Sequence, residues 1–284
     1  MTDIRKVGKG VVSQPTVEGA GVNLKRAFGL KEVPQFDPFL LLDDFYSDNP
    51  SDYIKGFPWH PHRGIETITY VLHGEVDHGD SMGNKGTIGA GDAQWMTAGS
   101  GIIHREMPKG QRDGLLWGFQ LWANLPSTHK MMAPRYRDVK SSQIPEVTLD
   151  SGTKVKIISG RVNGVGGPVQ GIVTEPEYLD VTVPADSLFQ HTIKRGYSVF
   201  AYIIDGKASF DEDHQTYVAE NLILFDDGDE VRITTQNTPV RFLLVSGKPI
   251  GEPVAWYGPI VMNTQEELKT AFDEYEAGTF LKHE

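Results

Sequence analysis

The chain contains no cysteine, which excludes disulfides, thiolate metal sites and cysteine nucleophiles together. Any metal held here must bind nitrogen and oxygen. No apolar run approaches the roughly 18 residues that a membrane span needs, and the N-terminal Met1-Thr2-Asp3-Ile4-Arg5-Lys6 lacks the apolar centre of a signal peptide. A soluble, cytoplasmic protein with no membrane partner is expected. Positive charge is scarce too: 27 Lys and Arg stand against 38 Asp and Glu, the formal net charge is −11, and no basic block is longer than a pair. Binding to phosphate backbones is driven by clustered cations, so direct contact with nucleic acid is not expected. No low-complexity segment is present.

Against these absences stand 31 glycines and 17 prolines, scattered between short apolar runs as a turn-rich all-β chain requires. Strand-like runs cover 67–72, 94–97 and 116–123, then 154–158, 178–183, 198–204, 221–225, 231–235 and 240–246. Their spacing and β-branched content suit antiparallel sheets closed into a sandwich or barrel. Between about Ser127 and Ile144, Pro, Arg, Lys and Ser break the rhythm, and this stretch reads as a linker. At 284 residues two domains are expected, 1–137 and 138–284. The halves resemble each other: Tyr70-Val71-Leu72-His73-Gly74-Glu75-Val76 matches Tyr202-Ile203-Ile204-Asp205-Gly206-Lys207-Ala208, and Gly91-Asp92 has a counterpart in Gly228-Asp229. The tail is the clearest helix. Thr264 and Glu267 form a capping box, Leu268, Ala271, Phe272 and Tyr275 an apolar stripe, and Gly278 a stop.

Chemistry concentrates in two stretches of the first half. Trp59-His60-Pro61-His62-Arg63-Gly64-Ile65-Glu66 is followed about forty residues later by Gly99-Ser100-Gly101-Ile102-Ile103-His104-Arg105-Glu106. On extended strands alternate side chains share a face, so His60 and His62 point one way, as do His104 and Glu106. Imidazole and carboxylate donors suit iron, manganese, cobalt, nickel, copper or zinc, and a three-His, one-Glu set leaves two positions open on an octahedral ion. The plain alternative for His-Pro-His is a surface turn, because proline disfavours a central strand. Parity does not separate Glu66 from the ligands, since by count it shares the face of His60 and His62.

The spacing of His60, His62, Glu66 and Gly74, then Gly91, Asp92, Gly99 and His104, is similar to the two motifs of the cupin superfamily. More narrowly, Phe36-Asp37-Pro38-Phe39, His60 to Thr67, Gly91 to Pro108, Gln120-Leu121-Trp122-x-Asn124-Leu125 and Gly258-Pro259-x-Val261-Met262-Asn263-Thr264 resemble the pirin family over nearly the full length. The resemblance implies a bicupin: two antiparallel β-barrels facing each other, with one divalent metal ion, Fe2+, in the N-terminal one only. It implies His60, His62, His104 and Glu106 as ligands, which leaves Glu66 to steady a ligand imidazole. It also implies quercetin 2,3-dioxygenase chemistry on a flavonol and O2 with release of carbon monoxide, and Glu106 is then the base that takes the substrate's 3-hydroxyl proton. Trp59, Met96, Phe119 and Trp122 are candidates for the substrate pocket, with core packing as the bland alternative for each. A second function implied by the family is an iron-dependent, redox-sensing regulator that acts through a protein partner. The chain itself is expected to be a monomer.

Five further histidines are read as weaker candidates. His73 stands at a turn, His78 and His129 in polar loops, His214 among acids, and His191, a lone histidine in the second half, is read as structural, with a vestigial site as the alternative. Asp43 and Asp44 could form a carboxylate pair, although a loop or capping role is the commoner use.

Overall fold

A computed structural model describes residues 2–213 and 215–283; His214 lies outside the described residues. The chain forms two compact units, Gln14–Ser141 with Ile250–Glu284, and Met1–Ser13 with Ser142–Pro249. A linear division at residue 137 misses this arrangement, because each terminus belongs to the unit built by the opposite half. The N-terminal strand Val7–Val12 pairs with Asn221–Phe225, while Ile260 bridges to Arg63 beside the histidine motif.

The first of these units holds, besides a two-stranded sheet of Ala255–Tyr257 with Ile260–Met262, two larger antiparallel sheets. One has seven strands in the order Arg135–Val139, Ala93–Thr97, Ile65–His73, Trp117–Asn124, Phe39–Asp44, Val22–Phe28 and Gln14–Glu18. The other runs Phe57–His62, Ile102–Lys109, Glu75–Asp80 and Lys85–Gly89. Arg135–Val139 lies inside the stretch expected as a linker; it is a strand because it caps the edge of Ala93–Thr97 with a full antiparallel register, from Arg135 opposite Thr97 to Val139 opposite Ala93.

Two glycines shape the approach to the histidine motifs. Gly64 (φ +80°) turns the chain between Phe57–His62 and Ile65–His73, and a Cβ there would stand 1.9 Å from the Val261 carbonyl oxygen. Gly99 (φ +51°) is equally confined, with a Cβ 2.2 Å from the Met132 carbonyl oxygen. The tail forms a helix, Gln265–Glu276, with the Thr264–Glu267 capping box in place. Leu268 and Ala271 pack with Ala255, Ile260, Met262 and Phe280, whereas Tyr275 lies at the exposed edge of the stripe.

The second unit repeats the pattern with a sheet ordered Val7–Val12, Asn221–Phe225, Ser198–Ser209, Val240–Gly247, Glu177–Val183, Lys154–Ser159 and Glu146–Thr148, and a pair Leu188–Thr192 with Glu230–Thr234. Gly74 (φ +84°) and Gly206 (φ +80°) both have positive φ four residues after fully buried Tyr70 and Tyr202, Gly74 between two strands and Gly206 inside Ser198–Ser209, where it pairs with Val240. Gly91 has positive φ and Gly228 does not, so that part of the match is one of sequence only. Where the first unit carries its histidines, the Leu188–Thr192 pair carries Phe189, His191, Val231 and Ile233. Phe189, Val231 and Ile233 belong to the apolar core, and His191 Nε2 lies 3.2 Å from Glu177 Oε2. His191 thus pairs with a carboxylate beside an apolar core.

Candidate metal centre

Pro61 sits on an edge strand, where its missing N–H is harmless: Phe57–His62 is the outermost strand of its sheet. Its one paired neighbour brings His104 opposite His60 and Ile102 opposite His62. Along Ile102–Lys109 residues 102, 104, 106 and 108 are buried and 105 and 109 exposed, so His104 and Glu106 share the inner face.

The ring nitrogens of His60, His62 and His104 lie within 4.8 Å of one another. His60 Nδ1 donates to the Pro58 carbonyl (2.8 Å) and His62 Nδ1 to the Pro259 carbonyl (3.1 Å). These bonds fix both neutral tautomers with the Nε2 lone pair bare. Yet the two Nε2 atoms face each other at 3.0 Å, where neither has a proton to give. A cation between them resolves the conflict. Both nitrogens of fully buried His104 lack a hydrogen-bond partner, and Glu106 Oε2 lies 3.8 Å from His104 Nε2. Three aimed imidazoles and a carboxylate fit a divalent ion.

Burial sets the electrostatics. It lowers the pKa of His60, and takes those of His62 and His104 well below the ordinary value, so all three are neutral at pH 7. Burial likewise raises Glu106 to about 7, against the pull of its Thr69 hydrogen bond and of His78. The Thr69 hydroxyl stands 3.2 Å from Glu106 Oε1 and 2.6 Å from Gln120 Oε1.

Glu66 does not join them. The turn at Gly64 resets the alternation, so parity counted through it fails. Glu66 Oε1 accepts from Thr97 Oγ1 (2.6 Å) with Arg135 at 3.9 Å, and among the described residues no hydrogen bond ties it to the three histidines. Asp43 and Asp44 are neither a pair nor caps. Adjacent on Phe39–Asp44, they face opposite ways, Asp43 to Arg26 and Asp44 to Trp117 Nε1 (3.0 Å).

A cavity of about 600 Å³ opens beside the site, lined by His60, His62 and Glu106 and walled by Trp59, Trp122 and Trp256. Trp122 stands edge-on to His62 with ring centroids 5.1 Å apart. Met96 and Phe119 are absent from this wall. Met96 packs with Leu40, Ile65, Ala98, Ile102 and Val261; Phe119 is fully buried on the opposite face of its strand from Gln120 and Trp122, which line the cavity. Sequence reasoning missed Thr69, Gln120, Arg26 and Trp256. Alternation along 67–69 and 120–122 signals the first two, but nothing local signals Trp256. His78 also departs from expectation: it lies on Glu75–Asp80, buried between Asp138 Oδ2 (3.0 Å) and the Tyr136 hydroxyl (2.9 Å). His73 stands at its strand end near Asp113, and His129 contacts Thr128 in an exposed segment.

Comparison with known proteins gives a consistent picture. The Pirin family model matches residues 21–123 and the Pirin C-terminal cupin domain residues 178–281. A pirin-like protein of Caulobacter vibrioides is 45% identical over 278 residues, 98% of this chain and 99% of its own. A Pseudomonas aeruginosa protein, provisionally named quercetin 2,3-dioxygenase, is 40% identical over 98% of this chain and 99% of its own. Among solved structures, a quercetin 2,3-dioxygenase from Acinetobacter baumannii superposes with TM-score 0.89 at 28% identity, covering 98% of both chains. A bacterial pirin from Escherichia coli in complex with nickel(II) shares the fold at TM-score 0.65 and 20% identity, over 85% of this chain and 98% of its own.

Proposed function

The chain belongs to the pirin family, and on that premise we propose that it is a metal-dependent dioxygenase that opens the central ring of a flavonol such as quercetin with O2 and releases carbon monoxide. The observation that carries this reading is the convergence of three neutral imidazoles with Glu106 beside them, of which His60, His62 and Glu106 line a cavity large enough for a flat aromatic ligand. His60, His62, His104 and Glu106 would hold one divalent ion, which we take to be Fe2+; imidazole and carboxylate donors would also accept nickel, the ion bound by the Escherichia coli pirin of the same fold. When bound, the ion would acidify a coordinated hydroxyl and stabilise the oxyanion left behind.

The residues do the rest. Glu106, whose carboxylate stands beside His104 and lines the cavity, would take the 3-hydroxyl proton. Thr69 holds Glu106 Oε1 and keeps the carboxylate turned towards the cavity. Trp122 and Trp59 offer flat faces to the flavonol, and Leu24, Val76 and Leu116 exclude water from the same space. A monomer in the cytoplasm belongs to the same reading.

The test is oxygen uptake. Iron-loaded protein given quercetin should consume O2, bleach the flavonol absorbance and release carbon monoxide, and His104→Ala or Glu106→Ala should abolish all three. An unchanged flavonol spectrum with metal-replete protein would sink the enzyme reading in favour of the redox-sensing regulator.

A further inference from the structure

Of the residues that line the cavity, Arg26 is the one lysine or arginine, and carboxylates outnumber it: Glu18, Asp43 and Glu106 share the same walls. Arg26 is also already engaged. Its Nε donates to Asp43 Oδ1 and its Nη2 to Asp43 Oδ2, both at 2.7 Å, and its Nη1 lies 2.9 Å from Glu18 Oε1. The bidentate fork is the strongest form of this contact, and it spends the guanidinium's charge inside the protein. Asp43 is buried and the Arg26 side chain partly so, which holds the pair in place.

We infer that the Arg26–Asp43–Glu18 cluster is the specificity element of the cavity, admitting uncharged hydroxylated rings and rejecting ligands that bring a carboxylate. A hydroxyl can donate to Asp43 or Glu18 and accept from the guanidinium N–H groups that the two carboxylates leave over. A carboxylate carried away from the metal-binding head finds no spare lysine or arginine among the described residues of these walls and meets the like charge of Asp43 and Glu18 instead, a juxtaposition that disfavours binding. Anions are therefore selected against by repulsion as well as by missing attraction. This rests on the reading of the cavity as a phenol site, but not on turnover.

The experiment is a calorimetric titration of the full-length protein, loaded with nickel and kept under argon so that bound ligand is not consumed. The ligands are 3-hydroxyflavone and its 2′-, 3′- and 4′-carboxylates, which share one metal-binding head. Wild type should bind each carboxylate at least about tenfold more weakly than the parent. Asp43→Asn, which frees half of the fork, should bring at least one carboxylate level with the parent. Glu18→Gln, at a more exposed position, should shift the ratio the same way and decides the matter alone if Asp43→Asn does not fold. Equal binding of parent and carboxylates by wild type, or a ratio unmoved in both variants, overturns the inference. Discrimination in binding without oxygen uptake would leave it standing while the dioxygenase reading falls.

Discussion

His62 Nδ1 donates to the carbonyl oxygen of Pro259, 197 residues further along the chain and 3.1 Å away. The bond fixes the tautomer, so the Nε2 lone pair is left for the metal side. Next to His62, Arg63 donates to the Phe280 carbonyl (2.7 Å), pairs with Glu274 (2.7 Å) and lies 4.2 Å over the Phe280 ring. The tail thus grips the ligand strand at two successive residues.

Loosening that grip should reach the metal. Glu274→Gln leaves the buried Arg63 guanidinium without its carboxylate, and we expect a loss of about 1–3 kcal/mol in unfolding free energy and about tenfold in metal affinity. Urea unfolding and nickel titration measure the two. Metal affinity equal to wild type would show that the tail does not support the site.

Metal binding should depend on pH through one group. Burial raises Glu106 to about 7, and as a ligand it would have to lose its proton, whereas the histidines are already neutral at pH 7. Affinity should therefore climb about tenfold per pH unit below 7 and level off above it, and Glu106→Gln should flatten the climb. Apo stability runs the other way. The folded pKa is raised above the unfolded 4.5, so this stabilisation is full below pH 4.5 and is lost as pH rises through 7. It amounts to roughly 3 kcal/mol. Denaturant titration of apo wild type and Glu106→Gln across pH 4–8 checks it.

The sheets and the three imidazoles were legible in the sequence because both depend on local alternation: His60 with His62 and His104 with Glu106 need only a period of two. Glu66 was misread because that period does not survive the left-handed turn at Gly64. For Met96 and Phe119 the structure bears out core packing over the pocket alternative; the sequence left both open because large apolar character does not say which face of a strand is lined by a cavity. Pro259, Trp256 and the exchange of chain termini between units depend on long-range packing, for which the sequence carries no periodic signal.

Lys130 carries a second pH dependence, on the alkaline side. Its ammonium is almost fully buried and donates to Gly64 O (2.9 Å), Asn124 Oδ1 (2.7 Å) and Val261 O (3.0 Å). Burial lowers its pKa from 10.5 to about 7. Between these values the unfolded chain holds more protons, so stability should rise with pH from about 7 towards 10.5, and it is depressed below 7. Lys130→Met should remove that rise and, by leaving three acceptors without a donor, destabilise the Gly64 turn by about 1–3 kcal/mol. Thermal unfolding of both proteins at pH 6.5 and 9.5 separates the effects, and an alkaline rise that persists in the variant would assign it to another group.

The division between wall and core should be visible in which property each aromatic residue controls. Phe119 is fully buried away from the cavity, so Phe119→Ala should cost about 3–5 kcal/mol of stability. Trp59 is 53% exposed at the cavity, with the Arg105 guanidinium 5.4 Å from its ring. Removing it costs the fold little, and Trp59→Ala should stay within about 0.5 kcal/mol of wild type in urea. It should instead raise the KM for the flavonol by roughly 2–10-fold, the value of one aromatic face, with kcat nearly unchanged. A Trp59→Ala protein with wild-type KM would remove this ring from the substrate site, and a Phe119→Ala protein of wild-type stability would contradict its place in the core.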